Sequence, residues 1–66
     1  MTLESEYING NRTSKVYSDF MTGYIVEYYI NGKILRKTHH TQLNLAEELA
    51  EDFVDEAGLN PTLLNE

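Results

Sequence analysis

The sequence predicts an α+β fold: a meander of three to four antiparallel β-strands, followed by one amphipathic α-helix packed on one face of the sheet. Two Asn-Gly pairs, at 9–10 and 31–32, interrupt a first half rich in β-branched and aromatic residues. Asn-Gly is the preferred centre of a two-residue hairpin turn. Beyond residue 42 the apolar spacing changes from a strand-like to a helical period. The 66 residues contain no cysteine and have room for a single domain.

The turn at 31–32 is predicted to join a strand over residues 24–30 to a strand over residues 33–38. A two-residue loop places Glu27 directly opposite Arg36, and this pair of opposite charges supports the register.

The pair at 9–10 predicts another hairpin, between a strand near residues 3–8 and one running from residue 11 to about residue 20. Residues 21–23 then turn the chain into the next strand.

The helix is predicted from one apolar stripe, and its ends from local capping signals. Asn44 is the expected N-cap, with Glu47 completing a capping box. Gly58 suits a left-handed C′ position, Leu59 then packs back on the helix, and residues 60–64 can form a short last turn. The stripe consists of Ala46, Leu49, Ala50, Phe53, Val54 and Ala57.

Both faces of the predicted sheet carry large apolar side chains, although one helix can cover only one face. We expect the helix to meet the face that carries Tyr17, Tyr24, Val26, Tyr28, Ile30 and Leu35. The other face then remains available to a partner or to a second copy of the chain. The interface residues expected there are Tyr7, Val16, Ile25, Tyr29 and Ile34.

Charge divides the chain into two unequal parts. Residues 1–41 hold five basic and four acidic residues, whereas residues 42–66 hold seven acidic residues and no basic one. The net charge of −6 therefore arises from the helical part. The outer face of the predicted helix carries Glu47, Glu48, Glu51, Asp52, Asp55 and Glu56.

Three interpretations of this acidic surface stay open. It can be a solvated surface that keeps a small protein soluble, or a docking surface for a basic partner. It can also imitate nucleic-acid phosphates, because carboxylates four residues apart repeat about every 6 Å along a helix.

The sequence predicts no catalytic residue, no metal site and no cofactor. His39 and His40 are adjacent on a strand and point to opposite faces, so they cannot easily share a metal ion. The four glycines are explained by turns and a helix cap rather than by a phosphate loop. The first residues resemble no signal peptide, and no apolar run is long enough to cross a membrane. We therefore expect a soluble cytoplasmic protein that is not an enzyme.

The segment 28–33, followed by 45–54, resembles small proteins of tailed phages, particularly those that infect marine cyanobacteria. The likeness is one of layout: a Tyr-rich hairpin with an Asn-Gly turn, then an Ala-Glu-rich amphipathic helix. It covers roughly residues 24–57 and implies a context in which small proteins bind and redirect host machinery.

These observations favour an interaction protein, a phage-type modulator or inhibitor that binds a basic partner through the acidic helix face. Two alternatives remain. One is a module for single-stranded nucleic acid that uses Tyr and Lys of the sheet, against which the acidic composition argues. The other is a homodimer with a structural or assembly role.

Overall fold

The fold is known from a computed structural model that describes residues 1–21 and 23–58. The elements follow in the order β1 Thr2–Asn9, β2 Arg12–Asp19, β3 Gly23–Ile30, β4 Lys33–His40 and α1 Leu43–Gly58. The strands form one antiparallel sheet in the order β1-β2-β3-β4, and α1 packs against it. The predicted α+β meander with one helix is confirmed. The contact predicted for Leu59 and the last turn predicted over residues 60–64 lie outside the described residues.

The second hairpin turn lies where its Asn-Gly pair predicts, and the first lies one residue further along the chain. Asn31 and Gly32 both have positive φ angles, 55° and 81°, as a type I′ turn requires. In the first hairpin, however, the loop is residues 10–11 rather than 9–10, and Gly10 has a φ of 62° at its first position. Asn9 instead ends β1, where its side-chain nitrogen donates a 2.9 Å hydrogen bond to the carbonyl oxygen of Val54. This contact with the helix accompanies the one-residue shift of the turn.

A β-bulge changes the register between β3 and β4. The predicted pairing holds next to the turn, where Ile30 lies opposite Lys33, but the register then shifts by one residue. Glu27 consequently pairs with Lys37, and the predicted Glu27–Arg36 pair is wrong. The extra residue lets Arg36 lie over the ring of Tyr28, with its guanidinium carbon 4.7 Å from the ring centroid.

The hydrophobic core lies between α1 and the two central strands. Val16, Val26 and Tyr28 of the sheet are buried against Ala46, Ala50, Phe53 and Val54 of the helix. The rings of Tyr28 and Phe53 meet edge to face, with centroids 5.0 Å apart. The two alanines are completely buried, and their small side chains let the helix axis approach the sheet closely.

Two residues predicted to face the helix lie elsewhere. Asp19 pairs with Gly23, and this register places Val16 opposite Val26, so Val16 meets α1 and Tyr17 points to the other face. Leu35 lies at the β-bulge and is half exposed. Tyr24, Val26, Tyr28 and Ile30 meet the helix as expected.

The helix begins two residues earlier than its predicted N-cap, Asn44, indicates. α1 starts at Leu43, and the carbonyl oxygen of Gln42 accepts a 3.1 Å hydrogen bond from the amide of Ala46. Asn44 therefore lies within the first turn and is not the N-cap. Leu43 packs against the core, and this tertiary contact explains why the helix starts before the residue with the better capping side chain.

Candidate functional site

The carboxylates of α1 occupy the side of the helix that is turned away from the sheet. The buried residues recur three and four positions apart, so the positions between them project into solvent. Of the six predicted acidic residues, Glu48, Glu51, Asp52, Asp55 and Glu56 are exposed, whereas Glu47 is half-buried at the edge of the helix.

Two of these six carboxylates are bound within the protein. The hydroxyl of Ser5 on β1 donates a hydrogen bond to the carboxylate of Glu47. Arg12, at the start of β2, forms a 2.9 Å ion pair with Glu56. The same Arg12 nitrogen donates to the carbonyl oxygen of Phe53 at 3.0 Å, and the guanidinium lies over the Phe53 ring. These contacts fasten the two ends of the helix to the sheet, so Glu47 and Glu56 are already occupied.

The other four carboxylates form what we call the acidic face: Glu48, Glu51, Asp52 and Asp55. All four are exposed, and none forms a hydrogen bond or ion pair within residues 1–21 and 23–56. They lie within about 11 Å along the helix axis, at a rise of about 1.5 Å per residue. Every neighbouring pair at i,i+3 or i,i+4 has the same sign, which mildly destabilises the helix.

The cations of the sheet do not neutralise the acidic face. Arg36 covers Tyr28, and Lys37 pairs with Glu27 across a 3.7 Å gap. The Lys15 ammonium lies 5.2 Å from the centroid of the Tyr29 ring. Among the ion pairs of the described residues, only that of Arg12 reaches α1, and it stops at the last turn. The negative potential of the helix is therefore directed outwards.

The sheet has a second exposed surface on the side that α1 leaves uncovered, which we call the open face. Strand register places two mainly apolar cross-strand rows there, on either side of a charged row. The first row is Leu3, Tyr17, Ile25 and His39, and the second is Ile8, Thr13, Tyr29 and Ile34. Leu3, Ile8 and Ile34 are 48%, 68% and 49% exposed. The open face thus offers aliphatic and aromatic surface to solvent.

The charged row runs across all four strands between the apolar rows. Its members, in strand order, are Glu6, Lys15, Glu27 and Lys37. The signs alternate and sum to zero, so this row is neutral whereas the acidic face is uniformly negative. Glu27 is buried within this row although it is charged.

Tyr29 supplies the hydrogen bond that accompanies the burial of Glu27. Its hydroxyl donates to a carboxylate oxygen of Glu27 at 2.6 Å. This hydrogen bond, together with burial and the nearby negative charge, raises the pKa of Tyr29 to about 12. The phenol is therefore held in its neutral form, in which it can donate.

The structure corrects two of the five interface residues predicted on the second sheet face. Tyr7 and Val16 lie on the helix side: Tyr7 packs against the core, and Val16 is completely buried. Ile25, Tyr29 and Ile34 lie on the open face as predicted. The register between β2 and β3 accounts for both residues, because it turns Val16 towards the helix and Tyr7, which pairs with Ser14, shares the face of Val16.

Sequence reasoning did not single out Leu3, Ile8, Arg12 or the charged row as functional. The alternation of Lys and Glu across four strands becomes visible only once the register is known. Arg12 carries no local signal for a helix contact, because its partners lie more than 40 residues away.

The open face also contains a shallow depression of about 220 Å³, lined by Glu6, Thr13, Lys15, Tyr29 and Gly32. No group of three His, Cys, Asp or Glu residues in the described ranges is arranged to hold a metal ion. His40 bonds to Thr38 at 2.7 Å on the helix side, whereas His39 lies in an apolar row of the open face.

No helix among residues 1–21 and 23–58 is long and apolar enough to cross a membrane. Comparison with protein-family models, with curated proteins and with solved structures finds no match to this chain.

Proposed function

We propose that this protein is a non-enzymatic interaction module that binds a basic surface of a partner protein through the acidic face. The resemblance to small phage proteins extends the proposal to a modulator or inhibitor of host machinery that acts in the host cytoplasm. The single observation that carries the proposal is the set of four exposed carboxylates at Glu48, Glu51, Asp52 and Asp55, which have no ion-pair partner in the part of the chain that the structure describes.

The arrangement is costly for the isolated protein, which supports a role in binding. Like charges at i,i+4 destabilise a helix by about 0.2–0.5 kcal/mol per pair, and acidic residues near the C-terminus also oppose the helix dipole. Lysine at one of these positions would relieve both effects, and none occurs in residues 42–66.

The geometry suits a partner with clustered Lys or Arg side chains. Carboxylates about 6 Å apart on two adjoining helical rows can each accept a hydrogen bond from a separate cation. A partner's positive surface would be steered towards the helix at long range, and the effect would weaken as salt screens the charges. Tight, salt-sensitive binding with a fast association rate is the expected signature.

The proposal is tested by affinity capture from a lysate of the native host, followed by direct binding measurements with the captured protein. The triple variant Glu48→Lys, Asp52→Lys and Asp55→Lys should abolish capture. Wild-type binding should weaken steadily as the salt concentration rises, mainly through a slower association rate.

A matched control separates the effect of the acidic face on binding from the effect of the net charge of the chain. Asp52→Lys and Glu4→Lys change the charge of the chain by the same amount, but Glu4 lies on β1 and not on the helix that carries the acidic face. Asp52→Lys should weaken binding strongly and Glu4→Lys only slightly. Capture that survives the triple variant would contradict the proposal, as would equal losses for the two single variants.

A further inference from the structure

The open face leaves Leu3, Ile8 and Ile34 in water along the two edge strands of the sheet, whereas Ile25 between them is buried. Two of its three rows are dominated by Leu, Ile and Tyr, with Ile8 the most exposed of the aliphatic residues. Apolar sheet surface is stabilised when another layer of structure covers it. The covering layer can be a second copy of the same sheet, packed face to face.

The sheet edges are protected against pairing, unlike the open face. β1 carries a register shift between Leu3 and Ser5, and β4 carries the bulge at Leu35. Bulges and edge lysines such as Lys33 and Lys37 are devices that discourage strand addition. Association through the edges is therefore disfavoured, and the face is the surface left for contact.

The charged row distinguishes between the two ways in which identical sheets can meet face to face. A two-fold axis that runs across the strands lays each strand over itself, so Glu6 would face Glu6 and Lys15 would face Lys15. A two-fold axis that runs along the strands, between β2 and β3, lays β1 over β4 and β2 over β3. The row stays at the same height, and only the strand order is reversed.

The second arrangement makes every charge complementary. Glu6 of one copy faces Lys37 of the second copy, and Lys15 faces Glu27 of the second copy. The signs alternate over an even number of strands, so reversal of the strand order always brings opposite signs together. Aligned sheets cross at about 30°, so the axis need lie only about 15° from the strand direction.

The same operation also matches the apolar rows. Ile8 faces Ile34 of the second copy, and Tyr17 faces Ile25 of the second copy. Thr13 faces Tyr29 of the second copy, and these two residues are the central members of the second row. Aliphatic and aromatic side chains thus meet across the axis, on both sides of the paired charges.

The available area reaches the threshold for a specific interface. Strands of eight residues at about 3.3 Å each, in four strands about 4.8 Å apart, give about 500 Å² per copy. Two copies would bury about 1,000 Å², close to the minimum expected of a biological contact. Moderate rather than very tight affinity is expected from this size.

We propose that two copies of this chain dimerise through their open faces about a two-fold axis parallel to the strands, with Glu6 of each copy paired to Lys37 of the other. The inference is independent of the function proposed for the acidic face, since both helices remain on the outside of the dimer. A dimer would present two acidic faces on opposite sides.

The test is sedimentation equilibrium on the full chain, from about 10 µM to about 1 mM. Wild-type protein should approach twice the chain mass of 7.6 kDa. Glu6→Lys and Lys37→Glu should each raise the dissociation constant at least about tenfold, because each variant alone places like charges opposite one another.

An equimolar mixture of the two variants provides the decisive measurement. In the mixed dimer, both contacts become complementary again, so affinity close to that of the wild type should return. Under the alternative axis, residues 6 and 37 would each face their own counterparts, so neither variant alone would weaken the dimer relative to the wild type. Circular dichroism on each variant verifies that the fold is retained.

An apolar pair of variants gives a second, independent reading. Ile34→Asp on the open face should abolish dimerisation, whereas Leu45→Asp, at a similarly exposed position on α1, should not affect it. Glu48→Lys should likewise leave the dimer intact, which separates this test from that of the acidic face.

Three results would overturn the inference. One is a monomer at the highest concentration, and another is a dimer that is unaffected by Ile34→Asp. The third is a monomer whose open face instead binds a labelled single-stranded oligonucleotide at low salt, with binding lost in Tyr29→Ala.

Discussion

The hydroxyl of Ser14 donates a 2.7 Å hydrogen bond to the carbonyl oxygen of Ala50, and both residues are completely buried. The contact joins the middle of β2 to the middle of α1 across 36 residues of sequence. A polar side chain thus occupies the centre of the interface between sheet and helix, with its hydrogen-bonding capacity used.

Two replacements of Ser14 separate the contribution of its hydrogen bond to stability from the contribution of its packing. Ser14→Ala should lower the free energy of unfolding by about 1 kcal/mol, the usual net value of one such bond. Ser14→Val adds volume at a site with no free space and should cost about 1–3 kcal/mol. Urea denaturation measures both. A Ser14→Val protein as stable as the wild type would contradict this account of the packing.

Arg12 should matter more for stability than its ion pair alone indicates. The side chain bonds to the Phe53 carbonyl oxygen and covers the Phe53 ring, besides pairing with the half-exposed Glu56. Glu56→Gln should cost less than about 1 kcal/mol and lose its effect at high salt. Arg12→Ala should cost about 1–3 kcal/mol, most of it insensitive to salt. Chemical denaturation at low and high salt separates the two contributions, and equal losses would contradict the prediction.

Gly23 should tolerate no side chain. Its φ is 106°, and an added Cβ would lie 2.6 Å from the backbone oxygen of His40. Gly32 also has positive φ, but a Cβ there would meet nothing within 4 Å. Gly32→Ala should cost about 1 kcal/mol, and Gly23→Ala clearly more, since backbone atoms must also move. Thermal unfolding of the two variants provides the comparison, and similar midpoints would contradict it.

Tyr29 should titrate about two pH units above the usual phenol pKa of 10.0, because its pKa is raised to about 12. The folded state holds this proton more tightly than the unfolded state does. The resulting stabilisation is fully present below about pH 10 and is lost as the pH rises to about 12. NMR titration of the ring carbons measures the pKa directly, and Glu27→Gln should bring it back towards 10. A Tyr29 that titrates near 10 in the wild type would count against the hydrogen bond.

The acidic face should show a trade-off between stability and binding. Asp55→Lys replaces a repulsive pair with Glu51 by an attractive one and places a cation near the helix C-terminus. We expect a gain of about 0.5–1 kcal/mol in the free energy of unfolding at low salt, together with weaker partner binding. Asp55→Gln controls for helix propensity and should show a smaller gain. A loss of stability in Asp55→Lys would indicate that the carboxylate has a structural partner.

Sequence by itself determined the features that depend on neighbouring residues. Asn31-Gly32 specifies a type I′ turn because both positions need positive φ. The spacing of Ala46, Ala50, Phe53 and Val54 specifies a helix with one buried side. The excess of acidic residues beyond residue 42 likewise placed negative charge on the outside of that helix.

Only the tertiary structure decided which side chains share a face and which charges meet. The register between β2 and β3 put Tyr7 and Val16 on the helix side, and one bulge exchanged Arg36 for Lys37 as the partner of Glu27. Since side chains alternate along a strand, each one-residue change reverses a face, and no local preference records it. The contact between Arg12 and Glu56 similarly depends on how the helix lies across the sheet. Turns and helices depend on interactions between residues that are close in sequence. Strand register and long-range pairs depend on how the whole core packs.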